Sequence, residues 1–265
     1  MNDLGKILKD KIVIDSHIHM GFLSSLNILG ASDNNIISLL KKYGVNKAIM
    51  SHHADLSTPH YGKELLFRSL EKFPDFLYGL LVFNPNFSNS SLESIKKNYQ
   101  RKQIAGIKIH PFWHMCYPGD HKYEKFWDFV TENGIPVLTH TWNPNVANKG
   151  QKFADPFLFE EILNKWNGLK LIFAHAGGRG EYLYKVIDLM EKYPDLYVDF
   201  AGDIFEPGLL ETYVGRVGSD RIFFGTDMPW IDVRYYLVNI LSADIGDQDK
   251  ENILGINASR FFNIR

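Results

Sequence analysis

The sequence predicts an α/β protein folded as a single (β/α)8 TIM-type barrel, and two observations support this prediction. Short apolar runs rich in β-branched residues alternate about eight times with segments of helical spacing. Polar side chains follow most of these runs, as they do at the carboxyl ends of barrel strands. The runs are KIVIDSHIH from residue 11, NKAIMSHH from 46, FLYGLLVFN from 76, IAGIKIHP from 104, IPVLTHT from 135, LKLIFAHAGG from 169, LYVDFAG from 196 and RIFFGTDMP from 221.

The segments between the runs have the features of helices that cover a parallel sheet. Ile36 and Leu40 recur at helical spacing, and Gly44 follows them where a helix needs a left-handed stop. Gly134 and Gly168 occupy the same place before later strands. Because the strands are almost continuously apolar, both faces of the sheet are expected to be buried. A doubly wound open sheet fits the periodicity equally well, whereas eight repeated units favour the closed barrel.

The chain is expected to form one domain. No low-complexity stretch, internal repeat or run of charge marks a linker within residues 1–265. The longest non-periodic stretches, Pro111–Asp120 and Asn143–Asp155, both follow predicted strands. Barrel enzymes carry their functional loops at those positions, so we expect part of a site in each stretch.

Composition and charge restrict the class of partner. The formal net charge is −2 and lysine and glutamate are scattered, which argues against nucleic acid and anionic membrane surfaces. No apolar run approaches the ~20 residues of a membrane span. The single cysteine, Cys116, cannot form an internal disulfide, and Met1–Asp10 lacks the apolar core of a signal peptide. We therefore expect a cytoplasmic protein that acts on a small molecule, with a homo-oligomer left open.

Two histidines, His17 and His19, stand one residue apart at the end of the first run. Side chains at i and i+2 of a strand share a face, so both imidazoles can approach one metal ion. Three or four protein ligands with one open position are typical of a catalytic ion. His140, His175 and Asp227 follow other strands and supply further donors. Zinc is the ion expected first, with manganese and iron as alternatives, because all three suit imidazole and carboxylate ligands.

Five motifs, in order along the chain, carry a resemblance to a known family. They are HIH at 17–19, IKIHP at 107–111, LTH at 138–140, AHAGG at 174–178 and FGTDMP at 224–229. Together they resemble the amidohydrolase superfamily, specifically its amidohydrolase-2 branch, which includes the aminocarboxymuconate semialdehyde decarboxylase-like enzymes. The segment ILGINASRFF at 253–262 is similar to the closing helix of that branch.

The resemblance implies a ligand set for the metal. It assigns His17, His19 and Asp227 to a catalytic ion, with His140 completing the mononuclear site or joining a second metal. His175 would either bind that second metal or act on substrate and metal-bound water without ligating the ion, and the second role is favoured. Asp227 and His175 are thus the expected catalytic residues.

Lys108 has two interpretations. In binuclear relatives a lysine near this position is carboxylated and bridges two metals, so Lys108 and His175 are the candidates for a second metal site. The alternative is an unmodified ammonium group that binds a substrate carboxylate. His110, Trp142 and Arg179 also follow strand ends closely and, with Lys108, are the expected substrate-binding residues. A small substrate that carries a carboxylate is therefore expected.

Three classes of function follow from these residues. The leading expectation is a metal-dependent hydrolase in which activated water attacks an amide, ester or lactone carbonyl of a small organic substrate. The alternative is a metal-dependent non-oxidative decarboxylase of a small unsaturated or aromatic carboxylic acid. A metal-binding barrel without turnover is the third, and the intact set of donors argues against it. A length of 265 residues favours the hydrolase, since decarboxylase relatives are expected to carry larger loop insertions.

Overall fold

The chain builds one eight-stranded sheet whose strands follow one another in sequence order. A computed structural model describes residues 3–21, 32–146 and 148–264. The strands pair in the order β1-β2-β3-β4-β5-β6-β7-β8. They are β1 Ile14–Met20, β2 Lys47–His52, β3 Leu77–Val82, β4 Ile104–Ile109, β5 Val137–His140, β6 Leu171–Ala174, β7 Leu196–Asp199 and β8 Ile222–Phe223.

Helices and short helical turns connect these strands. The α-helices are α1 Asp3–Ile7, α2 Asp33–Lys42, α3 His53–Ser57, α4 Pro59–Lys72, α5 Ser88–Asn98, α6 Pro111–His114, α7 Glu124–Glu132, α8 Phe159–Lys165, α9 Glu181–Lys192, α10 Leu209–Val217, α11 Val233–Ser242, α12 Asp247–Glu251 and α13 Asn257–Phe261. A π-helical turn, Asn252–Ile256, joins the last two. Turns of 3₁₀ helix cover Pro85–Phe87, His121–Tyr123, Lys149–Ala154, Pro156–Leu158 and His175–Gly177.

Contacts between the two ends of the sheet distinguish a barrel from an open sheet. The Ser16 N–H donates to the carbonyl of Phe224, and Ile18 forms a parallel bridge with Met228. The first strand therefore pairs with the segment that contains and follows the eighth. An open doubly wound sheet has no such pairing, so the (β/α)8 prediction is confirmed.

The glycines placed after predicted helices have the expected backbone conformation. Gly44, Gly134 and Gly168 all have positive φ angles, of 90°, 60° and 80°. A side chain is strained in that region, so glycine is the natural residue at these helix stops. The two long stretches predicted to be non-periodic contain short helical turns, at Pro111–His114 and Lys149–Ala154.

Two compact units make up the chain. The terminal unit comprises the described residues of Met1–Gly79 and Asp199–Arg265, and the central unit comprises Leu80–Val198. In the terminal unit every residue of β1 is buried. In the central unit the buried core contains stacked and tilted aromatic rings, among them Phe83, Tyr123 and Phe126. The expectation of a single domain over residues 1–265 stays a prediction. No helix within residues 3–21, 32–146 and 148–264 is long and apolar enough to cross a membrane.

Candidate metal centre

His17 and His19 lie side by side in the terminal unit, as their spacing on a strand predicts. Both imidazoles are buried, and their Nε2 atoms are 3.2 Å apart. The rings meet edge to face, with centroids 5.1 Å apart. The pairing of β1 with β2 shifts register between Asp15 and Ile18, a local irregularity beside the histidine pair.

The outer nitrogen of each imidazole contacts a hydrogen-bonding partner. His17 Nδ1 lies 3.0 Å from Asp199 Oδ2, and His19 Nδ1 lies 2.9 Å from Ser51 Oγ and 3.3 Å from the Ser51 carbonyl oxygen. Carboxylate and carbonyl oxygens only accept hydrogen bonds, so these partners assign the ring proton to Nδ1. The Nε2 atom of each ring is then an acceptor, and the two lone pairs converge.

Asp227 adds a carboxylate to the histidine pair. Its Oδ1 atom lies 3.0 Å from His19 Nε2 and 3.7 Å from His17 Nε2. Three acceptor atoms therefore lie within 3.7 Å of one another, an arrangement that is stable only around positive charge. The spacing of these three ligand atoms and their imidazole–carboxylate chemistry fit zinc, manganese or iron. His17, His19 and Asp227 can hold a divalent metal ion.

The backbone at Asp227 adopts a conformation that is rare for a residue with a side chain. Its φ angle is +63°, in the left-handed region. The Asp227 N–H donates to the carbonyl of His17 over 2.8 Å, and the Trp230 N–H donates to the carbonyl of Asp227 over 2.9 Å. The His19 N–H donates to the carbonyl of Met228. These bonds hold the turn against β1 and offset the backbone strain at Asp227. Backbone strain of this kind is common at functional sites.

Two buried aspartate side chains support the histidine pair, and sequence reasoning gave neither of them a role. Asp199 ends β7, is fully buried and also accepts the N–H of Ala201 over 3.0 Å. Asp15 accepts the N–H groups of His17 and Thr226 and pairs with the Thr226 hydroxyl over 2.7 Å. Burial raises the pKa of Asp15 to about 8, although the hydrogen bonds from Thr226 lower it. The position of Asp199 at a strand end is the one sequence signal that pointed to the site.

His52 ends β2, and His53 follows it beside the pair. His53 stacks on the His19 ring, with centroids 4.7 Å apart and an angle of 19°. His52 instead accepts the N–H of Ala54 at the start of α3. Burial lowers the pKa of His53 to about 3 and that of His52 to about 4, so both are neutral at pH 7.

The central unit carries the other predicted site residues. Lys108 lies on β4 with only 1 % of its surface exposed. His110 follows the same strand, and its Nδ1 accepts the N–H of Trp113 over 3.3 Å, which caps α6. A buried ammonium group is costly unless it is paired or modified, so the burial of Lys108 is compatible with either interpretation of that residue.

His140 and three neighbouring rings of the central unit form one cluster. The His140 ring stacks on His110 at 4.2 Å and lies nearly parallel to Trp142 at 6.0 Å. His175 meets His140 edge to face at 4.9 Å and Trp142 at 5.5 Å. His140 Nε2 lies 3.2 Å from Gln151 Oε1, an acceptor, so Nε2 carries the ring proton. In this arrangement His140 would bind a metal through Nδ1.

Arg179 stands at the edge of this cluster with an exposed side chain. Its guanidinium carbon is 6.0 Å from the Trp142 ring, and its backbone carbonyl accepts from the Asn143 side chain over 2.9 Å. The preceding Gly178 has a φ of +87°, and a Cβ there would lie 2.8 Å from the Asn143 nitrogen and 2.9 Å from the Trp142 ring. Glycine at 178 therefore permits the close approach of this turn to Trp142.

The predicted site residues thus form one group in each unit. His17, His19 and Asp227 come together in the terminal unit, whereas His110, His140, Trp142, His175 and Arg179 come together in the central unit. The ligand roles of His17, His19, Asp227 and His140, the second metal at Lys108 and His175, and the catalytic and substrate-binding roles stay predictions.

Comparison with known families gives one match over most of the chain. The model of a family described as Amidohydrolase matches residues 46–264. The matched range contains His140, His175 and Asp227 and begins after His17 and His19. No curated protein matches the sequence.

Several solved structures have the same fold. The 5-carboxyvanillate decarboxylase of Sphingomonas paucimobilis is 14 % identical, with a TM-score of 0.79 over 97 % of this chain and 100 % of that one. The 2,6-dihydroxybenzoate decarboxylase of Rhizobium is 16 % identical, with a TM-score of 0.77 over 96 % and 99 %. A dihydroxybenzoic acid decarboxylase of Polaromonas, solved with manganese and 2-nitroresorcinol, is 16 % identical, with a TM-score of 0.73 over 96 % and 97 %. At these identities the likeness shows the fold alone.

Proposed function

This chain belongs to the amidohydrolase family, in the branch that its motifs predicted, and from that premise we propose that it is a metal-dependent, non-oxidative decarboxylase of a small aromatic carboxylic acid. The observation that carries the proposal is the convergence of His17, His19 and Asp227 within 3.7 Å of one another. Three proteins that share its fold are named as decarboxylases of hydroxylated benzoic acids, which favours decarboxylation over hydrolysis. The length of this chain does not favour the hydrolase, because the match to the Sphingomonas decarboxylase covers 97 % of this chain and 100 % of that one.

The chemistry requires one proton for each carbon dioxide released. The bond between the ring carbon and the carboxyl carbon breaks, its electron pair remains on the ring carbon, and a proton joins that carbon. A divalent ion held by His17, His19 and Asp227 would bind substrate oxygens and stabilise their negative charge. Manganese is the first candidate, because the Polaromonas relative was solved with it, and zinc and iron remain alternatives.

We assign delivery of the proton to Asp227. Its Oδ1 atom faces the two histidines, and we assign the proton to the other oxygen, Oδ2. His17 and His19 keep their Nε2 lone pairs available because Asp199 and Ser51 fix the protons on the opposite ring nitrogens. His175 is assigned to proton transfer from solvent.

The central unit is assigned to substrate recognition. Arg179 and Lys108 are the cations assigned to the substrate carboxylate, and a guanidinium suits a carboxylate because it donates two parallel hydrogen bonds. His110 and Trp142, whose rings lie nearly parallel to that of His140, are assigned to contacts with the aromatic ring of the substrate.

The proposal is tested by following two products separately. Full-length protein loaded with Mn²⁺ is incubated with 2,6-dihydroxybenzoate, with other hydroxybenzoates, and with a panel of lactones and amides. We expect carbon dioxide release from at least one benzoate, and loss of that activity by ~10² or more in Asp227→Asn. Acid release from a lactone or amide without any carbon dioxide would instead establish the second candidate, a metal-dependent hydrolase, which the same donor set can also support.

A further inference from the structure

His53 is a buried side chain that contacts three parts of the terminal unit at once. Its ring stacks on His19, with centroids 4.7 Å apart. Its Nδ1 lies 2.8 Å from the Gly21 carbonyl oxygen, directly after β1. Its Nε2 lies 3.2 Å from the indole nitrogen of Trp230. One imidazole therefore joins the end of β1, a candidate metal ligand and the segment after β8.

The two hydrogen-bonding partners fix the tautomer of His53. The Gly21 carbonyl can only accept, so Nδ1 carries the proton and donates it. The indole nitrogen of Trp230 can only donate, so Nε2 accepts. Both ring nitrogens are thereby used, and the plane of the imidazole is set by partners on opposite sides.

Trp230 extends this contact to Asp227. The Trp230 N–H donates to the Asp227 carbonyl over 2.9 Å, which closes the turn that holds Asp227 at positive φ. The indole of Trp230 meets the His53 ring edge to face at 5.9 Å. His53 thus connects the ring of one candidate metal ligand, His19, with the backbone turn of another, Asp227.

The end of β1 lies close to His52 and His53. Gly21 has a φ of +79°, and a Cβ at that position would lie 2.3 Å from the His52 ring. Glycine is therefore required where the chain presents the carbonyl that His53 binds.

We propose that His53 is a positioning residue of the metal centre, which sets the plane of the His19 imidazole and holds the Asp227 turn at the distance that ligation requires. This inference rests on the proposed metal centre and deepens it. Partners that orient metal ligands typically change metal affinity 10- to 100-fold when they are removed, even though they never touch the ion.

Binding of Mn²⁺ alone to the metal-free, full-length protein tests the inference, with free Mn²⁺ followed by electron paramagnetic resonance. We expect His53→Leu, which removes the stack and both hydrogen bonds, to weaken binding at least ~10-fold. His53→Gln can still donate to Gly21 and accept from Trp230, so its affinity should stay within about 3-fold of wild type. Trp230→Phe keeps a ring but loses the indole N–H, and should weaken binding by about 3- to 10-fold. His121→Leu, at a side chain that is 83 % exposed in the central unit, is the matched control and should bind as wild type does.

The outcomes separate this inference from the proposed function. Wild-type affinity in folded His53→Leu, or equal losses in the leucine and glutamine variants, would overturn the positioning role while leaving the metal centre intact. If His53→Leu does not fold, Trp230→Phe decides, and wild-type affinity in that variant overturns the role. Absence of Mn²⁺ binding by the wild-type protein would overturn the metal centre itself, and this inference with it.

Discussion

His17 Nδ1 lies 3.0 Å from Asp199 Oδ2, a contact between buried side chains 182 positions apart in the chain. This carboxylate fixes the ring proton of His17 away from Asp227, so that Nε2 is available as a ligand. The same pattern recurs at His19, whose outer nitrogen contacts Ser51. The proposed metal centre therefore depends on residues outside its ligand set of His17, His19 and Asp227.

Asp199→Ala should weaken Mn²⁺ binding by roughly 10- to 100-fold, because it removes the acceptor that orients His17. Titration of the metal-free protein with Mn²⁺ measures the change. Asp244→Ala, at an exposed aspartate, serves as the control. Equal affinities in the two variants would show that Asp199 does not orient the ligand.

Asp15→Asn should remove a pH dependence of stability from the metal-free protein. Burial raises the pKa of Asp15 in the folded state to about 8, above the ~4 of an unfolded aspartate. Between these values Asp15 holds a proton in the folded state that it loses on unfolding, so this residue lowers the free energy of unfolding as pH rises, by up to ~1.4 kcal/mol per pH unit. The lowered pKa values of His52 and His53 act in the opposite direction, so the contribution of Asp15 is read from the difference between wild type and variant. Urea unfolding at pH 5, 6 and 7 should show the free energy of unfolding of the wild type falling relative to that of Asp15→Asn as pH rises. Parallel curves for the two proteins would contradict the raised pKa.

Gly178→Ala should destabilise the protein more than Gly134→Ala. Both glycines have positive φ, but a Cβ at 178 meets Asn143 and Trp142 below 3.0 Å, whereas a Cβ at 134 meets nothing within 4 Å. The control should cost about 1 kcal/mol from backbone strain alone, and Gly178→Ala at least 1 kcal/mol more from the collision. Free energies of unfolding in urea decide between them, and equal values would mean that the turn at Gly178 relaxes without cost.

Cys116 should resist alkylation while the protein is folded. Burial raises the pKa of its thiol to about 11, and the nearby Asp120 adds to the effect. At pH 8 a thiol of that pKa is ~10⁻³ ionised, against roughly a quarter for an unfolded cysteine, so iodoacetamide should label the native chain at least ~10² times more slowly. Mass spectrometry of samples labelled with and without urea measures the ratio. Similar rates in both samples would mean that the thiol is accessible and ionises normally.

Much of the fold could be predicted from local sequence, because apolar runs and helical spacing are local signals. The run from residue 11 locates β1 at Ile14–Met20, although the run from 221 extends well beyond the two residues of β8. The approach of His17 to His19 follows from strand geometry alone. The supporting contacts do not, because Asp199 and Ser51 come from distant parts of the chain, and the tautomers that they fix depend on the folded topology.

Metal content measured in the purified full-length protein tests the central claim most directly. Wild-type protein dialysed against Mn²⁺ should retain about one ion per chain, as expected of a mononuclear catalytic site. His17→Ala should retain almost none, while His175→Asn should keep the full content, since His175 is assigned to proton transfer and not to ligation. Loss of one of two ions from the His175 variant would instead establish a second metal and favour a carboxylated Lys108. Equal metal content in wild type and His17→Ala would contradict the account.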